Sequence, residues 1–263
     1  MNQSPFRLNF RNFFGKVFVL STTISLLWAC GDSKKESQTA GLSGRFVNQT
    51  FLEAIPDSIP GLVPAYCYEL NFISPDSVEI LYGFEEAKLG YRKSGKDYIL
   101  IKAMQDKDMP FRVNKDQTIS LIDSAWTSAK STSNFKKSIN TGKRKWDFET
   151  YLNQQMIAGE YMLYKNEQPT GQKVVFMSDG STSGIGDFNT YSICYSGDCV
   201  GEIYPISNNL TLTSKNKESV TYAFVKHKKS NKLSIRNIEA PIKDMKGERA
   251  IKEEVYDLRK QGV

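Results

Sequence analysis

The chain reads as an all-β protein, an antiparallel meander closed into one barrel or two tandem β halves, with short helices and a C-terminal helix. Three observations carry that expectation. Short runs of aromatic and β-branched residues alternate with polar ones at period two. Turn formers separate them, among them Ser94-Gly-Lys96, Asn114-Lys-Asp116 and Asp179-Gly180. Gly44-Arg-Phe46 and Gly159-Glu-Tyr161 open two stretches of similar texture, which suggests a degenerate internal repeat. A single larger barrel with an embedded loop would show the same pattern.

In chain order, residues 1–29 come first, with Arg7, Arg11 and Lys16 ahead of the apolar run 17–29. That run is short for a bilayer span and right for a signal-peptide core. At its end Leu27-Trp28-Ala29-Cys30 resembles the bacterial lipobox. The resemblance implies a lipoprotein in which Cys30 is acylated on sulfur and becomes the first residue of the mature chain, with palmitate among its acyl groups. Each buried methylene of such an anchor contributes about 0.8 kcal/mol. Asp32 lies one place beyond the position of a familiar inner-membrane retention signal, so the expected location is the cell envelope, at the outer membrane rather than the inner. Residues 30–43 carry almost no large apolar side chain and read as a tether of about 20 Å.

The body opens with a short helix over 47–55, where Phe51, Leu52 and Ile55 share a face and Pro56 stops it. In segment 44–126, strands are expected at 65–72, 77–84, 88–93, 98–103, 111–113 and 118–122. Residues 127–147 are rich in Ser, Thr, Asn and Lys and read as a basic linker or long loop. Segment 148–263 starts with a helix over 148–156, with Asp147 placed to accept from its free amides. Strands follow at 160–164, 173–177, 188–195, 200–204, 209–213, 220–226 and 232–238. The tail 241–260 reads as a helix, because Ile251, Val255 and Leu258 recur at i, i+4 and i+7.

At a few points residues 148–260 resemble the lipocalin and calycin group: a short helix, Gly159-Glu-Tyr161 opening the first strand, meandering hairpins, Arg236 in the last strand and a C-terminal helix. Tyr161 stands where the family has its hallmark Trp. The resemblance implies that Arg236 packs over Tyr161, a cation–π contact of about 0.5–2 kcal/mol.

Composition narrows the function. The 263 residues carry a net charge of +6, which falls to +3 without the first 29 residues. That balance argues against a nucleic-acid partner. Mean hydropathy is −0.44, which excludes a polytopic membrane protein. The single histidine, His227, sits among Lys226, Lys228 and Lys229, so no HExxH motif or three-histidine metal site can be assembled. Asp179-Gly-Ser-Thr-Ser-Gly184-Ile-Gly-Asp187 copies the first half of a calcium loop, but Thr190 stands where the bidentate Glu belongs, and a glycine-rich hairpin accounts for it better. No metal or cofactor is implied. In an oxidising compartment Cys194 and Cys199 read as a hairpin disulfide, and Cys67 as a small buried residue. Lys136, Lys137, Lys143, Arg144 and Lys145 read as a solvated loop, or alternatively as a patch for anionic headgroups.

The expected function is that of a non-enzymatic, membrane-anchored envelope lipoprotein holding a small apolar or amphipathic ligand in a barrel. The alternative is a structural or assembly partner of an envelope complex. Phe176, Tyr191, Tyr195, Tyr222 and Phe224 would line a pocket in the first reading and fill the core in the second.

Overall fold

The computed structural model of the chain describes residues 41–122, 134–139, 144–199, 203–227, 229–240 and 249–260. Residues 1–29, expected to be a signal segment, Cys30, and the expected tether up to residue 40 lie outside the described residues.

The first half is a closed antiparallel barrel of eight strands in chain order: β1 (Gly44–Asn48), β2 (Glu69–Ser74), β3 (Ser77–Tyr82), β4 (Glu85–Ser94), β5 (Asp97–Met104), β6 (Lys107–Val113), β7 (Ile119–Leu121) and β8 (Asn134–Lys137). Closure is made by β8 on β1, with Phe46 opposite Lys137 and Asn48 opposite Phe135. Inward side chains, including Leu70, Phe72, Ile80, Leu100, Phe111 and Phe135, form a continuous buried cluster. Gly83 and Gly95, at φ +63° and +61°, take the left-handed turn positions that a side chain would strain.

Two of these strands depart from the sequence reading. The helix α1 (Gln49–Ala54) begins later than expected because Val47 and Asn48 belong to β1. Asn48 ends the strand and caps the helix: its Oδ1 accepts from the Phe51 N–H at 3.0 Å, and its Nδ2 donates to the Cys67 carbonyl at 2.9 Å. The segment 127–147, read as a linker, contains β8. Only Phe135 of β8 is buried, so no alternation marks it in the sequence.

The second half starts with α2 (Phe148–Met156) and continues through β9 (Gly159–Lys165), β10 (Gln168–Phe176), β11 (Thr182–Ser183), β12 (Phe188–Ile193), β13 (Ile203–Tyr204), β14 (Asn208–Ser214), β15 (Ser219–His227), β16 (Lys232–Ile238) and β17 (Arg249–Lys260). The main sheet runs β11-β10-β9-β17-β16-β15-β14-β12, and β13 adds to β17 in parallel. The end strands approach each other at a bridge between Ser181 and Thr190, supported by the Tyr191 N–H donating to the Gly180 carbonyl at 2.7 Å. The all-β meander architecture is therefore as the sequence indicates.

The C-terminal helix is not. Residues 249–260 form a strand seated between β16 and β9, hydrogen-bonded on both edges. Register shifts opposite Ile235–Arg236 and Arg236–Ile238 each place an extra residue in β17. Each bulge reverses which face the following side chains point to. The apolar positions Ile251, Val255 and Leu258 thereby acquire a spacing that imitates a helix.

A second buried cluster runs from α1 through the joint and into the second sheet. At the joint, Tyr68 packs against Phe51 at 4.9 Å, Phe148 at 4.9 Å and Tyr195 at 4.8 Å between ring centroids. Tyr195 donates its hydroxyl to the Gly83 carbonyl at 2.8 Å, so a residue of the second half holds a turn of the first.

Because Leu258 is fully buried and its strand joins two others, Leu258→Ala should cost about 2–5 kcal/mol in urea denaturation. Val255→Ser, at an exposed bulge, should cost less than about 1 kcal/mol.

Candidate functional site

The aromatic residues proposed to line a ligand cavity are packed against one another. Phe176, Tyr191, Tyr195, Tyr222 and Phe224 are all buried members of the cluster in the second half. Phe176 meets Tyr191 edge to face at 5.2 Å and Tyr161 at 6.0 Å. Ile185, from the loop after β11, is fully buried in the same cluster. An open depression of about 270 Å³ lies at the edge of this core, between the turns that follow α1, the end of α2 and β14–β15, lined by Ile55, Ile59, Met156, Asn208, Val225 and Lys226.

Arg236 is exposed and does not fill the role the lipocalin resemblance implies. The cation over the Tyr161 ring is Lys260, with Nζ 5.6 Å from the centroid. The reason lies in strand phase: Arg236 follows the core residue Ile235 in β16 and faces outward, whereas Lys260 lies directly opposite Tyr161 in the β17–β9 pairing.

The calcium-like loop uses its oxygens locally. Asp179 Oδ1 accepts from Ser181 N at 2.9 Å and Ser181 Oγ at 2.6 Å. Thr182 Oγ1 donates to the Val175 carbonyl at 2.8 Å. Gly184, at φ +76°, lies so close to Lys173 that a Cβ would fall 1.9 Å from its carbonyl oxygen. Among the described residues no group of three His, Cys, Asp or Glu side chains is disposed to hold a metal.

Cys194 and Cys199 are joined in a disulfide with Cα atoms 5.9 Å apart, and Cys67 is a free buried thiol. His227 lies exposed at the end of β15, its Nε2 3.3 Å from Ser234 Oγ. Asp257, opposite Ser234 in β17, is committed to Lys232 at 3.0 Å and Arg259 at 2.8 Å. Among the described residues the polar partner of His227 is Ser234, and Asp257 is held away from a triad-like role by its two cations.

The basic segment is split. Lys136 and Lys137 are exposed on β8, Lys145 pairs with Glu86, Arg144 pairs with Glu149, and Lys143 lies outside the described residues. Beside the paired cations stands Phe84, 60% exposed, with its ring 5.6 Å from Tyr195.

The feature that sequence reasoning missed is Glu69. Its carboxyl is fully buried on β2 and reaches the start of α2, where Oε2 accepts from the Phe148 N–H at 2.7 Å. Asp147, expected to cap that helix, makes no capping bond. Its backbone already has helical angles, and its carboxylate takes Arg45 Nη1 at 3.1 Å and Ser138 Oγ at 2.7 Å. Glu69 thus caps α2 from the first-half barrel. Glu69 Oε1 is buried with no hydrogen-bond partner, and Arg45 Nε lies 3.9 Å away. Burial pushes the Glu69 carboxyl up to about 8; the Phe148 amide and Arg45 pull down, while Asp147 adds to the rise. A glutamate within Tyr66-Cys-Tyr-Glu-Leu70 was the only sign in the sequence.

Comparison with protein-family models, curated proteins and solved structures finds no match to this chain.

With its folded pKa raised, Glu69 binds a proton between about pH 4.5 and 8 that the unfolded chain has released. Stability is therefore lost as pH rises through that window. Glu69→Gln removes the titration, so its stability relative to wild type should climb from about pH 4.5 to about pH 8. The gain should be on the order of 4 kcal/mol. Denaturant melts across the range check this; parallel curves would mean that the carboxyl ionises normally.

Proposed function

We propose that the chain is a non-enzymatic lipoprotein of the bacterial cell envelope, anchored through Cys30, whose two-part β body serves as a docking module for other envelope proteins. The observation that carries this reading is the filling of both interiors by their own side chains. Phe111 and Phe135 in the first half, and Phe176 and Phe224 in the second, are each at most 1% exposed. A carrier needs an internal cavity of about 300 Å³ or more, whereas the 270 Å³ depression is an open surface feature.

A body with filled cores offers its outside. The exposed Phe84, flanked by the Lys145–Glu86 and Arg144–Glu149 pairs, combines an aromatic anchor with a charged rim. The lipobox resemblance of Leu27-Trp28-Ala29-Cys30 supports the anchor. Anchoring confines partners to a shared surface, so weak docking suffices.

Two measurements test this. Cells expressing the full chain and fed an alkyne analogue of palmitate should label it, and Cys30→Ala should lose both label and membrane association. A photo-crosslinker at position 84 should yield a discrete protein adduct in intact cells, while the same group at exposed Lys215 should not. Equal or absent crosslinking at both positions would overturn the docking assignment.

A further inference from the structure

In an up-and-down barrel every second connection falls at the same end. The end at which β1 begins therefore carries the β2–β3, β4–β5 and β6–β7 turns and the exit from β8. The chain enters the body there as well. The Tyr91 hydroxyl lies 3.4 Å from the Leu42 carbonyl and 3.1 Å from that of Ser74, which ties the entering chain to the β2–β3 turn. Gly41 runs so close to that turn that a Cβ would fall 2.6 Å from Pro75 Cα. Residues 1–40 thus join the body at this end of the barrel.

The same end is basic. Lys93 and Lys96 flank the β4–β5 turn, Lys115 lies in the β6–β7 turn, and Lys136 and Lys137 finish β8, level by register with Thr118 and Gln117. All five are exposed, and among the described residues none of them is ion-paired. The Lys137 side chain reaches back to the chain entry, with Cε 3.5 Å from the place a Gly44 Cβ would take. Of the acids at this end, Asp97 is held by Arg112 through bonds of 2.6 and 3.0 Å, which leaves Asp76 and Asp116 against the five lysines. The β3–β4 and β5–β6 turns at the opposite end have no such excess, since Glu85, Glu86 and Asp106 there offset Lys102 and Lys107. Ile73, 43% exposed at the end of β2, adds an apolar side chain next to Ser74.

We infer that this end of the first barrel is the membrane-facing surface of the body and lies on anionic phospholipid headgroups. The orientation rests on the lipoprotein reading for its acyl anchor, while the basic end carries an attraction of its own. Screened attraction reaches only about 8 Å at physiological salt. A tether of about 20 Å lets the body drift beyond that reach. Entry of the tether at the basic end returns the lysines to the surface first, where each adds to the attraction. It also selects a lipid surface over a soluble polyanion. Long lysine stems on turns bring ammonium groups to phosphate oxygens without disturbing the barrel core, and Ile73 enters between headgroups.

The test adds the full chain, purified in detergent from the cells that express it, to preformed vesicles of phosphatidylcholine with or without phosphatidylglycerol. Acetylation of lysines by acetic anhydride, read by peptide mass spectrometry, is the readout. On the anionic vesicles Lys96, Lys115 and Lys137 should react at least about threefold more slowly than on the neutral ones, and high salt should remove the difference. Lys215 and Lys217, in the β14–β15 turn, should react alike on both. The combined variant Lys93→Glu, Lys96→Glu and Lys115→Glu, at exposed positions, should melt with the wild type yet lose the protection of Lys136 and Lys137. Retention on both kinds of vesicle without slower labelling at the barrel end, or with equal slowing at Lys215, would overturn the basic face and leave the anchor standing. Retention on the anionic vesicles alone, with the protection, would keep the face and remove the anchor. Retention on neither would overturn both.

Discussion

The knot of rings between the two halves is the contact on which the rest of the architecture depends. Phe51, Tyr68, Phe148 and Tyr195 come from α1, the approach to β2, the start of α2 and the segment just after β12, so four separate stretches meet in one place. Such pairs contribute about 0.5–1.5 kcal/mol each beyond the area they bury. Their larger effect is geometric. Helices of six and nine residues are too short to persist alone, and α1 and α2 exist because Phe51, Leu52, Phe148 and Leu152 are buried here. The tyrosine hydroxyls complete the joint: Tyr68 donates to the Tyr195 carbonyl at 3.3 Å, and Tyr195 in turn donates to Gly83. Glu69 lies beside this knot, so its ionisation acts on the joint rather than on the interior of the barrel or of the second sheet.

Much of the fold was legible because the strands are short, alternating and bounded by turn chemistry. The helix at Phe148–Met156 and the strand at Lys232–Ile238 have the boundaries expected of them. The failures share a cause. In β17 two bulges break the period-two alternation, and what remains of the apolar spacing matches a helix. In β8 a single inward Phe135 among Ser, Asn and Lys gives no periodicity at all, yet that strand closes the barrel. β1 was absorbed into the helix that follows it, because Asn48 belongs to both. Local pattern cannot reveal pairing that depends on a partner distant in sequence.

The candidate sites were less legible for a related reason. Asp147 looked like a helix cap because it precedes Phe148, but the cap comes from Glu69, far back in the chain. Arg236 was assigned to Tyr161 by family resemblance, and strand phase gave that place to Lys260. The aromatic residues Phe176, Tyr191, Tyr195, Tyr222 and Phe224 are all buried in one cluster, a placement that alternation along single strands does not distinguish from the lining of a pocket.

The central seat of β17 also sets an order of assembly. β9 pairs with β10 on one edge, but its other edge has no partner until residues 249–260 arrive, after every other strand of the sheet. Until then the chain holds an unpaired edge beside Tyr161 and Leu163, the kind of template that recruits foreign strands. The loop that must close to cover it is long, which slows the step relative to the sequential hairpins of the first barrel. The second half is therefore the part of this chain most exposed to misassembly while it folds.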